Sequence, residues 1–229
     1  MTGSLARLEA RIVNCEQCPR LRDHCREVAR VKRRAYRDRD YWGRPVPGFG
    51  DPLARLLVLG LAPGAHGANR TGRVFTGDRS GDWLYRALWQ TGFANQPTSR
   101  DRDDGLRLDG AWVSSAVRCA PPDNKPLPAE IAACRPFLAR EIALLPRVRV
   151  VVALGRIAFD SYLALAREAG RGAALARLQF AHDRQHQPTD GGPVLVSSYH
   201  PSQQNTSTGR LTEAMLRAVF ERARSILTA

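Results

Sequence analysis

Phe75, Asp78, Asn124 and His200 are the residues of this chain best suited to chemistry on a flat, polar ligand. Each sits in a segment rich in glycine, proline or asparagine. Phe75 lies among Gly60, Gly64, Gly67, Gly72, Gly77 and Gly81. Glycines let backbone approach a ligand closely and adopt positive φ. An aromatic ring among them can stack on a base or tuck into the core. Asp78 follows three residues later. A carboxylate beside a base pocket orients or activates water; the same side chain also suits the N-cap of a helix starting near Ser80. The two uses are compatible. Asn124 closes a Pro-Pro-Asp-Asn run. Its amide offers the donor and acceptor needed to read the Watson–Crick edge of a pyrimidine, and Asn is also an ordinary turn residue. His200, just before Pro201, can donate a hydrogen bond to a departing base as negative charge builds there; a structural role is its alternative.

The five cysteines are Cys15, Cys18, Cys25, Cys119 and Cys134. An odd number in a reducing compartment argues against a disulfide framework. Cys15-x2-Cys18 and Cys119-x14-Cys134 form two pairs that can together make one four-thiolate site, for zinc or for an iron–sulfur cluster. Spacing does not choose between them, and Cys119 and Cys134 can also serve as small buried apolar residues. Cys25 is left over and reads as a free or buried thiol.

The charge balance sets the partner class. There are 35 basic and 22 acidic residues among 229, a net charge of +13. That excess favours a polyanion such as nucleic acid, although a chain with only Lys32 and Lys125 as lysines also reflects an arginine-rich composition. No run approaches the roughly 18 apolar residues of a membrane span. The N-terminus lacks the apolar core and cleavage site of a secretory signal, so a cytoplasmic protein is expected. Neither GxxxxGK[ST] nor GxGxxG is present, so nucleotide hydrolysis and dinucleotide binding are not expected.

These residues need elements to position them. Four short apolar runs, at 55–60, 111–117, 148–155 and 194–200, read as strands buried on both faces. Helical patterns follow at 80–92, 129–145, 156–170 and 212–227, with Gly92 and Gly170 as stops and Pro136 as a kink or interruption. Residues 27–40, dense in Arg and Asp, read as a solvated helix or loop. The alternation predicts one α/β domain over 1–229 with a central, mainly parallel four-stranded sheet; residues 1–54 read as its N-terminal helical, metal-site segment. The loops after the first, second and fourth strands carry Phe75 and Asp78, Asn124, and the run after His200. Ligands bind beyond the carboxyl ends of such strands, so the three loops should converge.

The motifs GLAPGAHGANRTGRVFTGDRSG (60–81), SAVRCAPPDNKP (115–126) and SSYHPSQQNTSTG (197–209), with the four paired cysteines, resemble the uracil-DNA glycosylase superfamily. The likeness is to its family 5, the B type of bacteria and archaea, and spans most of the chain. It implies a three-layer α/β/α sandwich and a [4Fe–4S] cluster on Cys15, Cys18, Cys119 and Cys134, structural in role. It implies that Phe75 stacks on a flipped base and that Asp78, Asn124 and His200 line the pocket. Related families carry an acid or Asn just after the first strand's glycine. Here Gly60-Leu61-Ala62-Pro63 has none, as in family 5, so Asp78 becomes the water-holding candidate. The roomier pocket fits uracil, modified uracils, ethenocytosine and deaminated purines. Gly60, Leu61, Ala62 and Gly64 are expected at the base, with Ser202, Gln203, Gln204 and Asn205 reaching into the DNA groove. The expected enzyme is a monomer that hydrolyses the N-glycosidic bond without nicking DNA, since only Lys125 offers an amine nucleophile. A zinc nucleobase deaminase would want H-x-E, and His66 is followed by Gly-Ala. A non-catalytic, metal-stabilised DNA-binding protein would explain the charge and cysteines but not three convergent loops.

Overall fold

The computed structural model describes residues 2–176 and 178–229. Its strands are β1 (Phe49–Gly50), β2 (Leu56–Gly60), β3 (Ala111–Ser115), β4 (Val150–Leu154), β5 (Arg184–His186) and β6 (Val194–Ser198). Its α-helices are α1 (Thr2–Val13), α2 (Pro19–Val31), α3 (Ala68–Thr71), α4 (Arg79–Gln90), α5 (Pro128–Ala143), α6 (Arg156–Ala166), α7 (Gln203–Ser207) and α8 (Glu213–Thr228). The described strands form one six-stranded sheet in the order β1-β3-β2-β4-β6-β5.

The four strands expected from the sequence are β2, β3, β4 and β6, and they pair in parallel. The sheet is nevertheless larger than four. β1 and β5 add an antiparallel strand at each edge. They have two and three residues, and neither is an apolar run. Each forms because a neighbouring strand offers an open ladder, which periodicity alone does not reveal.

Every residue of β2, β3, β4 and β6 is buried. Successive side chains leave opposite faces of a strand, so two cores arise. Leu56, Val58, Val113, Val152 and Val196 pack with residues of α4 and α8. Leu57, Leu59, Trp112, Val151 and Leu195 pack with residues of α5 and α6. The result is the three-layer α/β/α sandwich. Helix α1 lies against α5 through Leu8, Ile12 and Phe137.

Helix ends follow local chemistry in part. Gly92, at φ 75, closes α4 as expected. Regular helix in α6 stops at Ala166, earlier than Gly170, and a wider turn continues to Arg171. Pro136 does not interrupt α5; burial of Phe137 and Leu138 outweighs the one backbone bond that proline forfeits. No helix among the described residues is long and apolar enough to cross a membrane.

The chain leaves β2 for β3 on one side, and leaves β4 for β6 on the other. A crevice therefore opens at the carboxyl ends of β2 and β4. The glycine-rich loop after β2 forms one wall and is held by Arg73. This buried guanidinium donates to Thr76 Oγ1 and Ser99 Oγ at 2.9 Å and to both Asp104 oxygens at 2.8 Å. Stripping one partner from a buried pair costs about 3–5 kcal/mol. Asp104→Ala is expected to lose that much stability in urea titration with an unchanged m-value. A loss below about 1 kcal/mol would mean that solvent already screens the pair.

Candidate active site

The three loops do converge. Phe75, Asp78, Asn124 and His200 line one cleft of ≈ 780 Å³ at this crevice. Leu61, Ala62 and Gly64 complete its wall, and Ser202, Gln203 and Gln204 stand on its far side. Gly60 lies beneath the wall instead of in it: a Cβ there would come within 2.5 Å of the Phe75 ring. Its lack of a side chain gives the ring its seat. Asn205 also turns away from the cleft, donating from Nδ2 to the His200 carbonyl at 2.8 Å. It positions the histidine's backbone.

Phe75 both borders the core and lines the cleft, so burial of its ring does not take it away from the site. Its φ is 52°, rare for a bulky residue and costing about 1–3 kcal/mol. The surroundings leave it no choice. Tyr85 Oη donates to the Val74 carbonyl at 2.8 Å. A Cβ at Gly81 would sit 1.8 Å from the Phe75 carbonyl oxygen. Strain of this kind persists where neighbours over-determine the backbone, and it gathers at binding sites.

His200 faces Phe75, ring centroids 5.8 Å apart and 30° tilted. Burial pushes its imidazole down to about 4, so it is neutral at pH 7 and keeps one N–H to donate. Gly155, at φ 94, admits it: a Cβ there would lie 3.2 Å from that of His200.

Asp78 holds both of its possible positions at once. It caps α4, with Oδ1 accepting from the Gly81 N–H at 3.0 Å. Its Oδ2 lies over Gly64 and Gly67, where added Cβ atoms would fall 2.7 and 1.9 Å away. Burial raises its carboxyl above the usual range, against the lowering pull of the Gly81 N–H. Asn124 ends a tight turn in which Asp123 and Asn124 both take left-handed φ, 54° and 57°, values that Asn and Asp tolerate. Arg20 of α2 fastens the far side of this turn, donating to the Lys125 carbonyl at 3.2 Å and pairing with Glu130 at 2.8 Å.

Other lining residues were not legible in advance. Arg33 and Tyr36, from the charged run at 27–40, reach the cleft, as does His66. The Arg70 guanidinium stacks on Tyr36 at 4.1 Å, and Tyr41 Oη meets His66 Nδ1 at 3.1 Å. Burial, then the Arg33 and Arg70 charges, keep His66 below its ordinary value. The one signal in the sequence was Tyr36, a single aromatic inside the charged run, with Tyr41 just beyond it.

Cys15, Cys18, Cys119 and Cys134 border a second, small pocket with apolar Leu21, Pro45 and Phe137. It shares no lining residue with the cleft. Among the described residues no three His, Cys, Asp or Glu side chains close on one point as a single ion would require. The buried nitrogens Arg22 Nη1 and Arg118 Nε lack hydrogen-bond partners, and both residues border this pocket. Burial pushes the Cys134 thiol up to about 11. Cys25 is fully buried beside them and donates to the Ala120 carbonyl at 3.6 Å.

Comparison with known proteins agrees with this geometry. Residues 47–224 match the model of the uracil DNA glycosylase superfamily. A Mycobacterium bovis protein named type-5 uracil-DNA glycosylase is 50% identical over 98% of this chain and 82% of its own length. One of the same name from Thermus thermophilus is 51% identical over 93% of both chains. A type-4 uracil-DNA glycosylase of Thermotoga maritima is 29% identical over 69% of each. Matched by the family model over residues 47–224 and by the type-5 relatives at about half identity along nearly all of its length, the chain belongs to the uracil DNA glycosylase superfamily.

Proposed function

We propose that the protein flips uracil, and related deaminated or damaged bases, out of DNA and hydrolyses the N-glycosidic bond, leaving an abasic site. The observation that carries this is the meeting of Phe75, Asp78, Asn124 and His200 around one cleft at the sheet's carboxyl edge. The basic surface gives salt-sensitive affinity for phosphates. A mispaired base costs less to flip than a paired one, which adds selectivity. The flipped base stacks on Phe75, and Asn124 reads its edge. As the C1′–N bond breaks, its electron pair moves onto the base, and the neutral His200 N–H donates to the oxygen where that charge collects. Water held by the free oxygen of Asp78 attacks C1′ and gives up a proton to the carboxylate. The departing base takes a proton from solvent. Ser202 caps the five-residue α7, and with Gln203 and Gln204 it stands where the duplex would be held open.

The pocket of four cysteines fits a [4Fe–4S] cluster by its donor set, by an apolar wall and by two buried N–H groups with no protein partner. Cys15, Cys18, Cys119 and Cys134 would hold it. Bound there, it would supply a rigid cross-link and no step of the hydrolysis, since it stands apart from the cleft. It would fasten the α1–α2 junction to the segment that carries Asn124. A zinc deaminase needs its metal at the base, and none of the four cysteines lines the cleft, which favours the hydrolase.

Incubating the protein with uracil-containing duplex is expected to release free uracil and leave DNA that breaks only after alkali. Strand breaks without alkali would point to amine catalysis; Lys125 is not a cleft residue. No released uracil, with the DNA still bound, would end the glycosylase reading and leave a binding protein.

A further inference from the structure

Arg22 and Arg118 carry an observation that the hydrolysis does not use. Both side chains are almost wholly buried, 4% and 1% exposed. Buried guanidinium N–H groups are normally bonded, because leaving one unsatisfied costs about 1–3 kcal/mol or more. Arg22 satisfies Nη2 on the Gly43 carbonyl at 3.1 Å, and its Nε lies 3.5 Å from an exposed Glu16 carboxylate. Arg118 satisfies Nη2 and Nη1 on Glu141 at 2.7 and 3.4 Å. The two groups left over are Arg22 Nη1 and Arg118 Nε.

Arg22 also borders an open basic cleft with Arg26 and Arg44, where an external anion would be the ordinary partner. A nitrogen without solvent exposure cannot serve that cleft. Arg22 also borders the small pocket of the four cysteines, and Arg118 lines that pocket as well. The two residues differ in charge balance. Glu141, itself 2% exposed, neutralises Arg118, whereas Glu16, 55% exposed, only loosely faces Arg22.

We infer that Arg22 Nη1 and Arg118 Nε are the hydrogen-bond donors for the sulfurs of the group held by Cys15, Cys18, Cys119 and Cys134, and that Arg22 supplies its uncompensated positive charge. The inference rests on the cluster reading given above. A cluster on four thiolates carries net negative charge, and its potential is set by that charge, by hydrogen bonds to sulfur and by exposure. Donors and a cation at the sulfurs favour the more reduced, more negative state. Arg22 thus acts as a positioning and tuning residue: it raises the reduction potential and protects the cluster from oxidative loss.

The test uses the full chain purified without oxygen. Wild-type protein is expected to hold four irons and four sulfides and to absorb broadly in the visible. Arg22→Met keeps bulk and removes both charge and donor. It is expected to assemble the cluster yet show a more negative midpoint potential. It should also bleach about tenfold faster in air, the scale of outer-shell losses. Arg22→Lys keeps the charge without the fork and should shift the potential less, in the same direction. It carries the test if the Met variant does not fold. Variants that hold their iron with wild-type potential and bleaching rate overturn the inference and leave the cluster standing. Wild-type protein without iron and sulfide overturns both.

Discussion

Replacing His200 by alanine slows base release by roughly 10²–10³-fold, the loss typical of a single donor aimed at developing negative charge. The expectation depends on the neutrality of the ring. Burial holds the imidazole at about 4, so at neutral pH it offers an N–H without an excess charge that would bind the ground state equally well. Only interactions that strengthen on the way to the transition state accelerate the step, and a hydrogen bond to an oxygen gaining charge does so. The measurement is single-turnover release of uracil from duplex DNA, with affinity for abasic product measured alongside. Rate should fall and product affinity should change by no more than a few fold. A variant within threefold of the wild-type rate would remove His200 from the chemistry. A companion expectation concerns pH. Because His200 stays neutral down to about 4, the wild-type rate should show no step from its titration between pH 5.5 and 8.

Asp78→Asn should lower turnover by roughly 10²–10⁴-fold, the range for a lost general base, while the fold stands. Asparagine caps a helix about as well as aspartate, so the bond from Gly81 to position 78 survives. What disappears is the charge on the oxygen that faces Gly64 and Gly67. Burial raises the Asp78 carboxyl, so the folded protein binds that proton more tightly than the unfolded chain. The linked stability is then fully present below the unfolded value and is lost as pH rises through the folded one. At pH 7 the ionised carboxylate is a burden on stability. The Asn variant should therefore melt no lower than wild type, while its rate falls. The same raised value predicts an acid limb: turnover grows as pH rises through a point above the ordinary aspartate range, and the limb vanishes in Asp78→Asn. Loss of thermal stability together with loss of DNA binding would instead make position 78 a cap and nothing more.

Local chemistry fixed a good deal of this protein. β2, β3, β4 and β6 were legible because strands buried on both faces must be apolar throughout, and their order of appearance with helices between them demanded a layered parallel sheet. Phe75, Asp78, Asn124 and His200 stood out because each lies in or at the start of a glycine-, proline- or asparagine-rich loop leaving the same edge of the sheet, although each also had a structural use. The cap role of Asp78 followed from its place before a helical run, and Gly92 from the end of one. The edge strands were not legible, since β1 and β5 owe their existence to an open neighbouring ladder and not to their own side chains. Arg33 and Tyr36 were hidden for a similar reason: charge alone does not distinguish a solvated face from a cleft wall. The strained φ of Phe75, the seat made for it by Gly60 and the turning of Asn205 onto the His200 carbonyl were decided only by packing. So was the burial of Arg22 and Arg118 beside the four cysteines, whose own gathering the two spaced pairs had suggested. Sequence determines which residues can do chemistry and which runs must be buried, because those depend on single side chains and short periods. Direction, burial of a charge and the company of distant residues depend on how layers close on one another, and only the tertiary structure sets them.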